Sequence, residues 1–113
     1  LGSPKMDLIG LEGLGELQEM REDLTHRTGV NFLRTMDGIV AFTKVRLEVY
    51  AIPIRSAEVL EVIDELSHDA PGKAEVKITF RRDQHKVTMR MEGSQSSAKR
   101  MMKWLKKGVN RLS

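Results

Sequence analysis

The chain of 113 residues contains no cysteine, which excludes disulfide bonds, thiolate zinc sites and cysteine nucleophiles. Aromatic residues make up only 4% of the sequence, so seven methionines supply part of the apolar volume that a core requires. No apolar run approaches the roughly 18 residues of a membrane-spanning helix, and no signal peptide is recognisable. These properties predict one globular domain in a reducing compartment, which we take to be the cytoplasm.

Patterns that carry catalysis or cofactor binding are missing as well. The three histidines, His26, His68 and His85, fall in separate segments without metal-ligand spacing. The glycines of IGLEGLGE lack the preceding strand of a dinucleotide site and the following Lys-Ser/Thr of a P-loop. The serines of segment 94–97 are typical of a helix cap and have no G-x-S-x-G frame. The sequence therefore predicts a non-enzymatic protein with no catalytic residue, metal or cofactor.

Charge is distributed unevenly, although the formal net charge is only +3. Residues 6–27 hold six acids and two bases, and residues 55–70 hold five acids and one base. Residues 93–113 hold six bases and no acid. Such polarity predicts an acidic partner or self-complementary packing.

Three segments have the apolar spacing of an amphipathic helix. The first is the acidic segment 7–27, and the second is 56–69, which begins at a serine N-cap and ends before Pro71-Gly72. In the closing segment the apolar residues fall within one arc of about 100° when each residue advances about 100°. That stripe, which we expect to be buried, consists of Ala98, Met101, Met102, Leu105, Val109 and Leu112.

Strands are predicted from alternating apolar residues and from turn chemistry. Asp37-Gly38 favours a hairpin between a short strand at 30–36 and a longer one at 39–50. The polar loop 82–85 favours a second hairpin between two further strands. The resulting order, α-β(β)-α-β-β-α, predicts an α+β fold with two layers, in which helices pack on one face of an antiparallel sheet of three to five strands.

The predicted domain is the segment 6–113. Residues 1–5 resemble the remnant of a cleaved expression tag, and we leave them out of the fold prediction. The N-terminal acidic helix, 6–28, contains glycines that weaken its first turns. We therefore expect it to dock on another surface, of its own chain or of a partner.

The closing helix has a basic side opposite its apolar stripe. Three interpretations are open: a solvated surface neutralised by acidic residues of the same assembly, a membrane-surface helix, and a nucleic-acid interface. In the last, lysines and arginines would contact phosphates, Trp104 would stack on a base, and outward-facing sheet residues would extend the surface. The candidate residues are Lys99, Arg100, Lys103, Trp104, Lys106, Lys107 and Arg111 on the helix, and Lys77, Arg81, Lys86 and Arg90 on the sheet.

From about residue 44 to 112 the chain reads strand, helix, strand, strand, helix, and contains MEGSQSSAKRMM followed by VNRL. In this outline it resembles the small dimerising subunit of the KEOPS complex, which modifies an adenosine beside the anticodon of certain tRNAs. In that family an arginine near the start of the final helix and a later asparagine recur, and Arg100 and Asn110 could fill those places. The resemblance implies a non-catalytic homodimer that docks an ATPase-fold partner and helps to bind tRNA.

Two hypotheses follow from these patterns. The first is a dimeric scaffold of an RNA-associated complex that binds polyanion through the basic closing helix. The alternative is a structural protein–protein interaction domain with no role in nucleic-acid binding, and the strand-helix-strand-strand order also resembles ferredoxin-like domains of pilus and secretion assembly platforms.

Overall fold

The computed structural model describes residues 2–13, 28–45 and 47–109. Their strands are β1 Met6–Glu12, β2 Thr28–Arg34, β3 Gly38–Val45, β4 Glu48–Arg55, β5 Val59–Leu66, β6 Lys73–Arg82 and β7 His85–Ser94. These seven strands form one antiparallel sheet in the spatial order β4-β3-β2-β1-β7-β6-β5. A 3₁₀ turn, Ser56–Glu58, precedes β5, and the helix α1, Gln95–Val109, follows β7.

The predicted α+β order, with several helices on a sheet of three to five strands, is wrong. Residues 56–69 were expected to be helical, but Ser56–Glu58 form the short 3₁₀ turn and Val59–Leu66 form β5. Val59 and Val62 pack against the core, whereas Leu60 is 45% exposed, so the expected helical stripe does not share one face. The β-branched residues of this segment suit a strand, and pairing with β6 along its whole length overrides the apparent helical spacing.

The N-terminal acidic helix is also wrong over residues 7–12, because these residues belong to β1, between β2 and β7. The register of β1 with β7 shifts between Leu8 and Gly10, so one extra residue is inserted there. Met6, Leu8 and Leu11 are all buried, with a two-residue step before the bulge and a three-residue step across it. Residues 14–27 of the predicted helix lie outside the described residues.

Both predicted hairpins are confirmed. Gly38 opens β3 in the first of them, where an added Cβ would overlap the carbonyl oxygen of Ile54. In the second, Asp83 adopts a φ of 57°, which the turn between β6 and β7 requires. The long strand expected at 39–50 is wrong, because the chain turns between Val45 and Glu48 and continues as β4.

The closing helix and its cap are confirmed. The N–H of Ser97 donates to Ser94 Oγ at 3.0 Å, so Ser94 supplies the predicted capping oxygen. Helix α1 packs on β5, β6, β7 and β3. The described members of its apolar stripe are all buried: Ala98, Met101, Met102, Leu105 and Val109. Leu112 lies outside the described residues.

The core lies between α1 and one face of the sheet. Phe80, Ile78 and Val76 of β6 point into it, opposite Val87, Met89 and Met91 of β7. Side chains that alternate with these lie on the other side, which we call the outer face of the sheet. The strand-helix-strand-strand-helix order that supported the resemblance to KEOPS and to assembly-platform domains is absent, since β5 occupies the place of its first helix.

Candidate nucleic-acid interface

Five predicted cations share the exposed side of α1, which we call its basic face: Lys99, Arg100, Lys103, Lys106 and Lys107. The buried stripe turns this face away from the sheet, because the two sets of residues occupy opposite arcs of the helix. At a rise of about 1.5 Å per residue, the face extends about 12 Å along the helix axis from Lys99 to Lys107. Arg111, the sixth predicted cation of this helix, lies outside the described residues.

The basic face is not neutralised within the described part of the chain. The ion pairs found there are Arg55–Glu58, Lys77–Glu65, Arg90–Glu75 and Arg90–Glu12, and none involves α1. Arg100 donates a hydrogen bond of 3.3 Å to the hydroxyl of Ser97, and this neutral acceptor does not compensate the charge of Arg100. The five charges are therefore available to an anion from outside the described residues.

Trp104 borders the basic face but is half-buried. Its ring centroid lies 6.2 Å from that of Phe32, at an angle of 34°. The guanidinium of Arg34 lies 5.5 Å from the centroid of the tryptophan ring, at cation–π distance. The ring thus links α1 to β2, and stacking on a nucleic-acid base would compete with contacts that it already makes.

The predicted sheet cations do not join the basic face. Arg81 and Lys86 are exposed and paired across β6 and β7, next to the buried pair Phe80–Val87. Because successive side chains of a strand point to opposite faces, both lie on the outer face, away from α1. The structure therefore separates the predicted surface into two sides.

Arg90 also lies on the outer face, where it holds a buried carboxylate. Its Nε and Nη2 donate to Glu75 Oε1 at 3.1 and 2.9 Å, and Glu75 is only 3% exposed. Glu75 lies opposite Glu92 in the β6–β7 register, and Glu92, 2% exposed, accepts a hydrogen bond from Ser67 Oγ at 2.8 Å. Sequence reasoning missed this buried carboxylate pair, because glutamates on the polar side of two strands carry no local signal of burial.

Lys77 is engaged on the same face. Its Nζ lies 2.6 Å from Glu65 Oε1, and this hydrogen bond, with the charge of Lys77, holds the pKa of Glu65 below its ordinary value. In the 3₁₀ turn after β4, burial opposes ionisation of Glu58, but hydrogen bonds from the backbone and side chain of Arg55, with the charges of Arg55 and Arg82, lower its pKa overall. Lys77 and Arg55 therefore stabilise carboxylates of their own chain.

Two cavities adjoin these elements. One, of about 160 Å³, lies between β5 and the end of α1, where Ser56, Glu61 and Lys106 contribute its polar groups. The other, of about 500 Å³, is lined by Asp37, Pro53, Arg55, Glu58, Arg82 and Asp83. In the part of the chain that the structure describes, no group of three or more histidine or acidic residues is arranged to hold a metal ion.

No helix among the described residues is long and apolar enough to cross a membrane. Neither a protein-family model nor a curated protein sequence matches this chain.

Proposed function

We propose that this chain is a non-catalytic module that binds the phosphate backbone of RNA through the basic face of α1. One observation carries the proposal: five cations share an exposed helix face and have no carboxylate partner among the described residues. The buried stripe on the opposite side of the helix keeps these charges together and directed outward. Because the helix already holds these charges close together, little conformational entropy is lost in positioning them when a polyanion binds.

The length of the basic face sets the expected strength of the electrostatic contribution. A face of about 12 Å matches about three to four phosphates, if phosphates follow one another at about 3.4 Å along a strand axis. Neutralising that number on a single strand gives a slope of log K against log salt of about −2 to −3. Between 50 and 200 mM salt, affinity should therefore fall about 20- to 50-fold.

Binding through phosphates predicts little preference for base sequence. Trp104 packs on Phe32 and Arg34, so the proposal does not depend on base stacking. Lysine and arginine contacts to phosphates position a nucleic acid without reading its bases or its 2′-hydroxyls. RNA and DNA single strands of equal length should consequently bind within a few fold of each other.

The test is a matched pair of double charge reversals. K103E/K107E removes charge from the basic face, whereas R81E/K86E removes the same charge from the outer face of the sheet. Each pair lowers the formal net charge from +3 to −1, since each reversal subtracts two. Fluorescence anisotropy with a labelled 20-nucleotide RNA at 100 mM salt should show at least a tenfold loss for K103E/K107E and less than a threefold loss for R81E/K86E.

Equal losses in the two variants would show that only net charge matters, and absence of salt-sensitive binding by the parent chain would reject the proposal. Light scattering with and without the RNA covers the alternative hypothesis. If the chain does not bind RNA but forms an oligomer that dissociates as salt is raised, the basic face belongs to a protein–protein contact. Circular dichroism of both variants checks that the fold is retained.

A further inference from the structure

The two edge strands of the sheet, β4 and β5, differ in how accessible their unpaired backbone groups are to another strand. Pro53 lies within β4, opposite Val40 of β3. Proline has no N–H, so a strand tolerates it where the N–H would point away from the neighbouring strand. Its carbonyl oxygen accepts a hydrogen bond from Arg82 Nη2. The free edge of β4 therefore lacks one donor and has one acceptor occupied, which obstructs the addition of another strand.

Within the described residues, the free edge of β5 carries neither a proline nor a side-chain hydrogen bond to its backbone. The N–H of Ser67 donates to the carbonyl oxygen of Lys73 at 2.9 Å, so residue 67 directs its backbone groups toward β6. Because this direction alternates along a strand, Val62, Asp64 and Leu66 direct their N–H and C=O groups away from β6. Among the residues that the structure describes, β5 has a neighbouring strand on the β6 side alone.

The side chains of β5 add an apolar and acidic surface to this open backbone. Leu60, Ile63 and Leu66 are 45%, 37% and 67% exposed, which is unusual for large apolar side chains on one short strand. Glu61 and Asp64 have no ion-pair partner within the described residues. Such a strand complements a segment that carries both apolar and basic side chains.

A second copy of β5 is a poor partner for this edge. Over its regular part, residues 61–66, only the two-fold antiparallel registers centred on Ile63 and on Asp64 pair five residues of each copy. The register centred on Ile63 places Glu61 opposite Glu65 of the other copy. The register centred on Asp64 places two copies of that carboxylate opposite each other. Like charges directly opposite in a sheet are destabilising, so the acids of β5 disfavour self-pairing and favour a basic strand.

We propose that β5 accepts an extended segment of a partner protein, rich in lysine or arginine and apolar residues, as an eighth strand. The backbone groups of Val62, Asp64 and Leu66 supply the hydrogen bonds, as in other cases of strand addition. Lys106 lines the same cavity as Glu61 and brings a positive charge there, so we assign the partner's basic residue to Asp64. This site is separate from the basic face of α1 and does not depend on RNA binding.

The probes are two capped peptides, VKVKVKV and VEVEVEV, added to the full chain at 150 mM salt. In an NMR titration, VKVKVKV should protect the amides of Val62, Asp64 and Leu66 from exchange and leave those of β4 unchanged. VEVEVEV should bind at least tenfold more weakly. The Asp64→Pro variant removes one outward N–H without breaking the β5–β6 ladder, in the way that Pro53 is accommodated in β4.

The matched control is Asp64→Ala, which removes the carboxylate and keeps the N–H. Asp64→Pro should weaken VKVKVKV binding about tenfold or more, and Asp64→Ala about two- to fivefold. A peptide N-methylated at alternate residues tests the same hydrogen bonds without altering the protein. Methylation of the set that faces β5 should abolish binding, whereas methylation of the other set should preserve it.

Three results would overturn the inference. They are no binding of VKVKVKV, protection of β4 or α1 amides in place of those of β5, and equal effects of the proline and alanine variants. Protection of β5 amides that rises with protein concentration in the absence of peptide would assign the edge to a second copy and overturn it too. RNA binding is measured separately, so loss of either property leaves the other testable.

Discussion

Replacement of Arg90 by methionine should destabilise the fold and leave RNA affinity unchanged. The guanidinium makes two hydrogen bonds to Glu75 Oε1, at 3.1 and 2.9 Å, on the outer face of the sheet. Arg90→Met keeps most of the aliphatic side chain and removes the charge. Glu75, 3% exposed, would then retain a buried carboxylate directly across from Glu92.

The expected loss follows from the burial of the pair. Removing one partner of a buried ion pair costs about 3–5 kcal/mol. The side chain of Arg90 is 31% exposed, and this partial contact with water lowers the expected loss of unfolding free energy to about 2–3 kcal/mol. Against a typical total of about 5–15 kcal/mol, this change is easily measured by urea unfolding.

A double-mutant cycle separates the pair from its surroundings. Glu75→Met should cost less, about 1 kcal/mol, because Arg90 keeps contact with water and lies 3.9 Å from Glu12. Replacing both residues should leave stability within about 1 kcal/mol of the parent chain, since apolar side chains of similar volume can replace a buried pair. The coupling energy should then reach about 2 kcal/mol.

Two results would refute this reasoning. If Arg90→Met loses less than about 0.5 kcal/mol, or if the double variant loses the sum of the two single changes, Glu75 does not depend on Arg90. RNA affinity distinguishes the structural role from the binding role that the sequence suggested. A loss of more than threefold at constant salt would place Arg90 in the nucleic-acid interface.

Two further predictions concern local interactions. Ser94→Ala removes the acceptor of the Ser97 N–H and should lower the unfolding free energy, measured by urea unfolding, by about 1 kcal/mol. The control is Ser96→Ala at an exposed position, which should change the unfolding free energy little. Equal losses in the two variants would contradict the assignment of Ser94 as the cap. The hydrogen bond from Lys77 lowers the pKa of Glu65 in the folded chain from its ordinary value of 4.5. The Lys77–Glu65 pair therefore contributes to stability above pH 4.5, and this contribution is lost as the pH falls through the lowered pKa of the folded chain. A carbon-13 titration of Lys77→Met should show the pKa of Glu65 rising toward 4.5, and an unchanged titration would contradict this cause.

The β5 segment illustrates where sequence reasoning failed. Its serine N-cap signal and apolar spacing favoured a helix. The segment forms a strand because it pairs throughout with β6, which comes later in the chain. For β1 the helical spacing lay in Leu14, Leu17, Met20 and Leu24, outside the described residues, and the predicted helix extended from there back to residue 7. The register shift between Leu8 and Gly10 also removes the two-residue alternation that would have indicated a strand. Neither effect is visible in a single segment, because each depends on pairing with a distant strand.

The candidate interface could also be predicted only in part from the sequence. The buried stripe and exposed cations of α1 could be predicted from the sequence, because the geometry of a helix determines which residues share a side. The outward direction of Arg81, Lys86 and Arg90 was also predictable from strand alternation. Their separation from α1 was not, because it depends on which face of the sheet the helix covers.

By itself the sequence determined the hairpin turns, the capped closing helix and the split of that helix into an apolar and a basic side. Turn chemistry, capping and helical periodicity act over a few neighbouring residues, so they do not require knowledge of the rest of the chain. Only the tertiary structure decided the seven-strand order, the burial of Glu75 beneath Arg90 and the contrast between the obstructed edge of β4 and the open edge of β5. These features arise from hydrogen bonds between residues far apart in the chain, and such pairings are selected by the packing of the whole fold.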